Sequence, residues 1–364
     1  MHIARSGSLC VAVIAMGIAL SAAQDTATIE VARGSSYSVH NLVSDGSVRA
    51  DHTDAQLVNP WGIAFNPNAV VWIADNGTGL STFYDGMGVK KGMVTIPPPP
   101  SAPPPSKPTG IVYSGGSDFV VTSGGKSGPS RFVFSTEDGT ISGWAPDVDA
   151  SHAILVIKNS ASGAIYKGLA LAANGSGHFL YATDFHHNRV DVFDAEFHPV
   201  TVGGNFTDPS LPRGYAPFGI QNVLGDLYVT YAKQDRNAED DVAGDGFGFV
   251  DVFNADGRLI RRFASRGALN APWGIALAPA DFGRFANTLL VGNFGNGRIT
   301  AFDLATGEFK GQLHKANGHT IILDGLWGLA FGNGLLGQPT SSLFFTAGPD
   351  DEMHGVYGRI DAVR

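Results

Sequence analysis

The 364-residue chain holds a single cysteine, Cys10, and it lies inside an N-terminal apolar stretch. If that stretch is cut off on export, the mature chain has none, which excludes disulfides, thiol catalysis and cysteine-ligated metals together. Charged residues are also sparse, at 16%, and the balance is acidic, with a formal net charge of −9. Neither nucleic acid nor an anionic membrane fits such a chain, because both require a basic face. Beyond Leu9 to Leu20 the sequence has no second long apolar run, so no membrane anchor is expected. Helical periodicity, a nucleophile elbow, a P-loop and a dinucleotide fingerprint are missing as well.

What the chain does have is self-similarity. The string "NPWGIAF" at Asn59 returns as "NAPWGIAL" at Asn270, and looser copies stand at "KPTGIVY", "YKGLALA", "APFGIQN" and "LWGLAFG". Their glycines, Gly62, Gly110, Gly168, Gly219, Gly274 and Gly328, recur at intervals of about fifty residues. After most of them comes a strand-like run, a turn and a strand ending in an aromatic and an acid, as in "YATDFHHNRVDVFD" and "VGNFGNGRITAFD". Six units of short alternating strands and glycine turns predict an all-β fold, a six-bladed β-propeller of four-stranded antiparallel blades. The last unit supplies only three strands, and Ser36 to Asp45 stands before the first with no partner of its own. That segment is expected to complete the last blade and close the ring.

The expected organisation is a signal peptide over residues 1–23, a flexible N-terminus over 24–35 and one propeller over 36–364. His2 and Arg5, the apolar run and "SAA" before Gln24 have the layout of a secretory signal, so the chain is expected to be secreted or periplasmic. The tract "PPPPSAPPPSKP", residues 97–108, reads as an inter-blade loop because proline cannot donate to a ladder. Sequons stand at Asn76, Asn174 and Asn205.

In such blades the loops entering the first strand and joining the second to the third open on one face, the top. The candidate functional residues gather there, at the mouth of the central channel. Two irregular loops that the repeat does not require carry Lys233, Asp235, Asp351, Glu352 and His354. Asp184 and His186 lie in "TDFHHN", and Trp61, Trp273 and Trp327 share one repeat position, with Phe218 there in the fourth unit and Thr109 and Lys167 in the others. These aromatics either rim a ligand mouth or wedge the blades apart, and packing is the stronger reading. Asp75, Glu137, Asp184 and Asn293 are read at the end of the second strand in four units. As oxygen ligands they are weak candidates for calcium; as repeat residues they bond turn amides or, for Asp184, the following Arg189. His186, His187, His314, His319 and His354 offer imidazoles for zinc, but no H-x-x-x-H pair fixes two on one element, and adjacent His186 and His187 are expected to point apart. "DRNAEDDVAGDG" fails as an EF-hand, since Asp240 stands where glycine is needed.

The pattern P-x-G-I-A, V-x-D, R-V-x-V-F-D resembles NHL repeats across the mature chain. More narrowly, "NPWGIAF", "TYAKQD", "GLWGLAFGNG" and "FTAGPDDEMHGVYG" resemble an uncharacterised family of secreted NHL-like propellers of bacteria and fungi. The resemblance implies a ligand-binding scaffold, taking a small molecule, glycan or protein at the top-face mouth. It also keeps open a metal-dependent lyase or lactonase at the same place, with zinc or calcium, since relatives of this fold include both. A monomer is expected.

Overall fold

The computed structural model describes residues 36–363. Six four-stranded antiparallel units stand round one axis, each running outward from its first strand. The innermost strands are Pro60–Phe65, Pro108–Tyr113, Tyr166–Ala173, Tyr215–Val223, Pro272–Leu277 and Leu326–Phe331, and each packs against the next, the sixth against the first. The six repeat glycines set how closely they approach. A Cβ at any of them would stand under 3.0 Å from the next blade's backbone, from Thr109 O at Gly62 (2.5 Å) round to Trp61 O at Gly328 (2.6 Å). With glycine there, the blades meet at a waist that leaves an axial cavity of only about 40 Å³.

Ring closure is as the unpaired N-terminal segment predicts. Ser36–Ser44 pairs antiparallel with Val356–Val363, from Ser36 opposite Val363 to Ser44 opposite Val356. It becomes the fourth strand of the sheet whose first three strands come from the chain's other end. Tyr37, Leu42 and Val43 bury their side chains almost completely, and the Tyr37 hydroxyl donates to Phe282 O in blade 5 (3.0 Å). His52–Thr53 adds a short fifth strand, parallel to the closing one, that the repeat does not announce.

Two further departures from the repeat are visible. Blade 2 inserts a hairpin, Val120–Ser123 with Lys126–Pro129, between its first and second strands. Blade 3 ends in a fourth strand of two residues, Pro199–Val200. The proline tract lies between blades 1 and 2. The expected signal peptide and flexible N-terminus lie outside the described residues.

Candidate functional site

The top of the channel is closed by aromatic rings. Trp61 and Trp327 stack at 3.5 Å between centroids, Trp273 meets both edge-on, and Phe294 stacks on Trp327 at 4.0 Å. Trp61 and Trp327 are 2% and 1% exposed. The three tryptophans form a buried plug over the glycine waist instead of rimming an open mouth, because each precedes its glycine at the narrowest radius, where inward aromatic side chains meet one another, and Phe294 from the following loop of blade 5 packs onto them.

In blade 3 the aromatic position holds Lys167. Its ammonium is as buried as the rings beside it, at 2% exposed, and stands 5.3 Å from the centre of a Trp61 ring. Glu137 Oε1 lies 2.5 Å from Nζ and Asp240 Oδ1 3.0 Å. Glu137 in turn accepts from Asn76 Nδ2 (2.9 Å), Asn59 Nδ2 donates to Asn76 Oδ1 (3.3 Å), and Trp327 Nε1 donates to Asn59 Oδ1 (3.2 Å). Trp273 Nε1 reaches the Lys167 carbonyl (3.0 Å). A single polar network thus ties blades 1, 2, 3, 4, 5 and 6 above the waist.

Burial pushes the Glu137 carboxyl up, but the Lys167 charge and hydrogen bond, with that of Asn76, outweigh it and leave it below the usual range. Burial likewise pulls the Lys167 ammonium down, and Glu137 and Asp240 more than reverse this. The pair is therefore ionised. Two further carboxyls face the same cluster without such compensation. Burial raises Asp241, Lys167 draws it back, Glu352 and Asp240 push it on, and it stands at about 7. Glu352 is raised by burial and by Glu137, against the pull of Asn59 and Lys167. Asp241 Oδ2, Glu352 Oε1 and Trp61 Nε1 are buried with no hydrogen-bond partner among the described residues.

A raised acid binds its proton more tightly folded than unfolded. Its contribution is full below the unfolded value near 3.9 and is lost as pH rises through about 7. Asp241→Asn is therefore expected to gain stability relative to the parent as pH rises from 5 to 8, read as the difference in urea midpoints. An unchanged difference would show that Asp241 does not titrate in this window.

Of the residues singled out from sequence, the structure brings Glu352, Glu137, Trp61, Trp273 and Trp327 into this cluster. Lys233 lies over the Phe247 ring at 4.2 Å, and Asp235 caps its own loop by accepting from Glu239 N (2.9 Å). His354 pairs with Asp45 (2.7 Å), and Asp351 is exposed on a left-handed turn with φ of 51°. His186 faces Ala238 O (3.2 Å), and its ring meets His187 edge-on at 4.9 Å; the two do not point apart, because they occupy a turn and not a strand. The cluster is completed by Lys167, whose place in an aromatic repeat position is a readable signal, and by Asp240 and Asp241 of the acidic loop, which a calcium-loop spacing does not place beside a cation on another blade.

The oxygen ring does not assemble. Asp75 accepts from Thr82 N and Oγ1, Asp184 from Ile165 N and His187 Nδ1 and pairs with Arg189, and Asn293 accepts from Asn270 N, each at its own blade's strand end. Glu137 is one place out of register: Thr136 lies opposite Pro108, as Asp75 lies opposite Pro60. Among the described residues no three His, Asp or Glu side chains are grouped as an ion would require, so the donors present do not fit the zinc or calcium that the fold resemblance suggests.

No family model matches the chain. Two uncharacterized proteins of Acanthamoeba polyphaga mimivirus are similar to it: one is 37% identical, over 89% of this chain and 80% of the relative, the other 35%, over 89% and 85%. The chain belongs to their family. Among solved structures, a streptogramin B lyase superposes with a TM-score of 0.51 at 14% identity, covering 89% of this chain and 97% of the lyase. A Bacteroides thetaiotaomicron protein of unknown function reaches 0.55 at 11%, covering 90% and 76%. At such identities the likeness is one of fold alone.

Proposed function

We propose that this is an exported, monomeric propeller that holds a ligand at the top-face mouth, through an ammonium or guanidinium group on a small molecule, an amino sugar or a protein side chain. The observation that carries the reading is the imbalance around Lys167. Four carboxyls, Glu137, Asp240, Asp241 and Glu352, face one cation, and two of them keep buried oxygens unpaired. Such oxygens cost free energy until a donor reaches them. A cationic head supplies both the donors and the missing charge, and the Asp240 side chain, 74% exposed, marks the open side of the cluster. The plug beneath keeps the ligand at the mouth and out of the channel. Export rests on the N-terminal layout read above.

Calorimetry with spermidine, glucosamine trisaccharide and an arginine-containing pentapeptide, against glucose as the neutral control, separates the three sources. Binding is expected to tighten as pH rises past 7, with proton release, because the cation ionises Asp241 and Glu352. The double variant Asp241→Asn, Glu352→Gln should weaken it about tenfold or more, as expected when a charged pair is lost. Heat from glucose alone, or from none of the four, would refute the reading.

A further inference from the structure

A groove of about 680 Å³ lies away from the mouth, on the outer rim between blades 2 and 3. Its floor is a strand edge. In blade 1 every residue of the third strand, Leu80–Tyr84, pairs with the fourth. Blade 4 pairs its third strand from Phe249 to Phe253, and in blade 5 Leu313 N continues the ladder onto Ile299 O. In blade 3 only Val192 and Phe193 are matched, by Val200 and Pro199. From Arg189 to Asp191 the outward edge of the third strand meets no backbone among the described residues.

The chain leaves this edge by construction. After Val200 it crosses to blade 4, where Gly204 N donates to Asp256 O (2.9 Å) and Phe206 N to Gly257 O (3.0 Å). Phe206, with φ of 49°, buries its ring against Tyr181 and Phe253. The place that a full fourth strand would take is thus walled by Val156 and Lys158 of blade 2 on one side and by Val202, Asn205 and Phe206 on the other. A slot with a strand edge for its floor and a wall on each face has the shape that one extended chain fills.

We infer that this slot binds an extended peptide of a partner protein, which adds to blade 3 as its missing outer strand. Main-chain hydrogen bonds along Arg189 to Asp191 supply the register. Charge selects the side chains. Arg189 is already paired with Asp191 (2.7 Å) and Asp184 (3.3 Å), whereas Lys158 is exposed and makes no ion pair among the described residues. The walls otherwise present Val156, Val202 and Phe206 beside the uncharged polar Asn159, Thr201 and Asn205. The fitting peptide therefore mixes apolar β-branched residues with uncharged polar ones such as threonine, and carries a carboxylate where it passes Lys158.

The test uses the capped hexapeptide Thr-Val-Glu-Val-Thr-Val, an analogue N-methylated at alternate residues, and a third peptide with lysine for glutamate. At millimolar peptide the first is expected to slow amide hydrogen exchange from Arg189 to Asp191, and the N-methylated analogue to leave it unchanged. Lys158→Glu, an exposed substitution that leaves the blades intact, should weaken the glutamate peptide about fivefold or more and favour the lysine peptide instead, as a reversed charge pair does. Equal binding of the N-methylated analogue, or protection elsewhere in the chain, would overturn the proposal. So would self-association through this edge, seen as protection of Arg189 to Asp191 that rises with protein concentration and needs no peptide.

Discussion

A chain that begins at Asp45, and so lacks the closing strand, is expected to melt on the order of 10 °C or more below the full chain, or to fail to fold. Tyr37, Leu42 and Val43 are all but fully buried by that strand. At about 1.5–3 kcal/mol for each buried apolar side chain, their loss approaches the total stability of many domains. The ladder from Ser36 to Ser44 is lost with them, and Val356–Val363 becomes an open edge that invites association. Thermal unfolding followed by circular dichroism, with light scattering for aggregation, reads both effects. A synthetic peptide copying Ser36–Ser44 should restore part of the midpoint, because the cleft it leaves is formed by blades 5, 6 and 1, all of which the truncated chain keeps. A midpoint unchanged by the truncation would mean that the ring holds without its closing strand.

That strand was legible because its evidence is arithmetical: three strands at one end of the chain and one without a partner at the other. The blades were legible for a similar reason. A glycine in each unit, needed where inner strands come within a Cβ of each other, leaves a mark that survives even where its neighbours change. The polar cluster leaves no such mark. Lys167 meets Glu137 thirty residues away and Asp240 seventy-three away, and these separations follow from where loops happen to end, not from any spacing on a strand. The only local sign is Lys167 itself, standing where four of the other five units place tryptophan or phenylalanine. The acidic loop that contains Asp240 and Asp241 resembles a calcium-binding loop, whose ligands all lie within one loop, whereas its carboxyls face a cation on another blade. Blade 3's short outer strand was hidden in the opposite way. "HPVTVGGNF" alternates well enough to continue as a strand, and what stops it is the docking of Gly204 and Phe206 on blade 4, which only the folded chain reveals.

Lys167→Met is expected to destabilise the protein by about 3–5 kcal/mol at pH 8, the range found when one member of a buried ion pair is removed. The methionine keeps most of the side-chain volume against Trp61 and Phe185, so the loss reads the charge and not a cavity. Glu137, 17% exposed, would then be left with a single side-chain hydrogen-bond donor, Asn76 Nδ2. In the parent the sign is clear on both sides. Glu137 is held below its ordinary value and contributes stability above the unfolded value near 4.3, lost as pH falls through its folded one; Lys167 is held above its own and contributes below about 10.4. Without the lysine, Glu137 reverses: it folds most easily protonated, so the deficit should shrink towards pH 4 and reach its full size at alkaline pH. Urea unfolding at pH 4, 6 and 8 measures this. The double variant Lys167→Met, Glu137→Gln separates charge from shape. It should recover most of the stability at pH 8, because both partners are then neutral and the amide can still accept from Asn76. Asp240, 74% exposed at its side chain, can turn to water in either variant and adds little. If the single variant is as stable as the parent at every pH, the pair does not hold the top of the ring together, and the mouth must be organised by the aromatic plug alone.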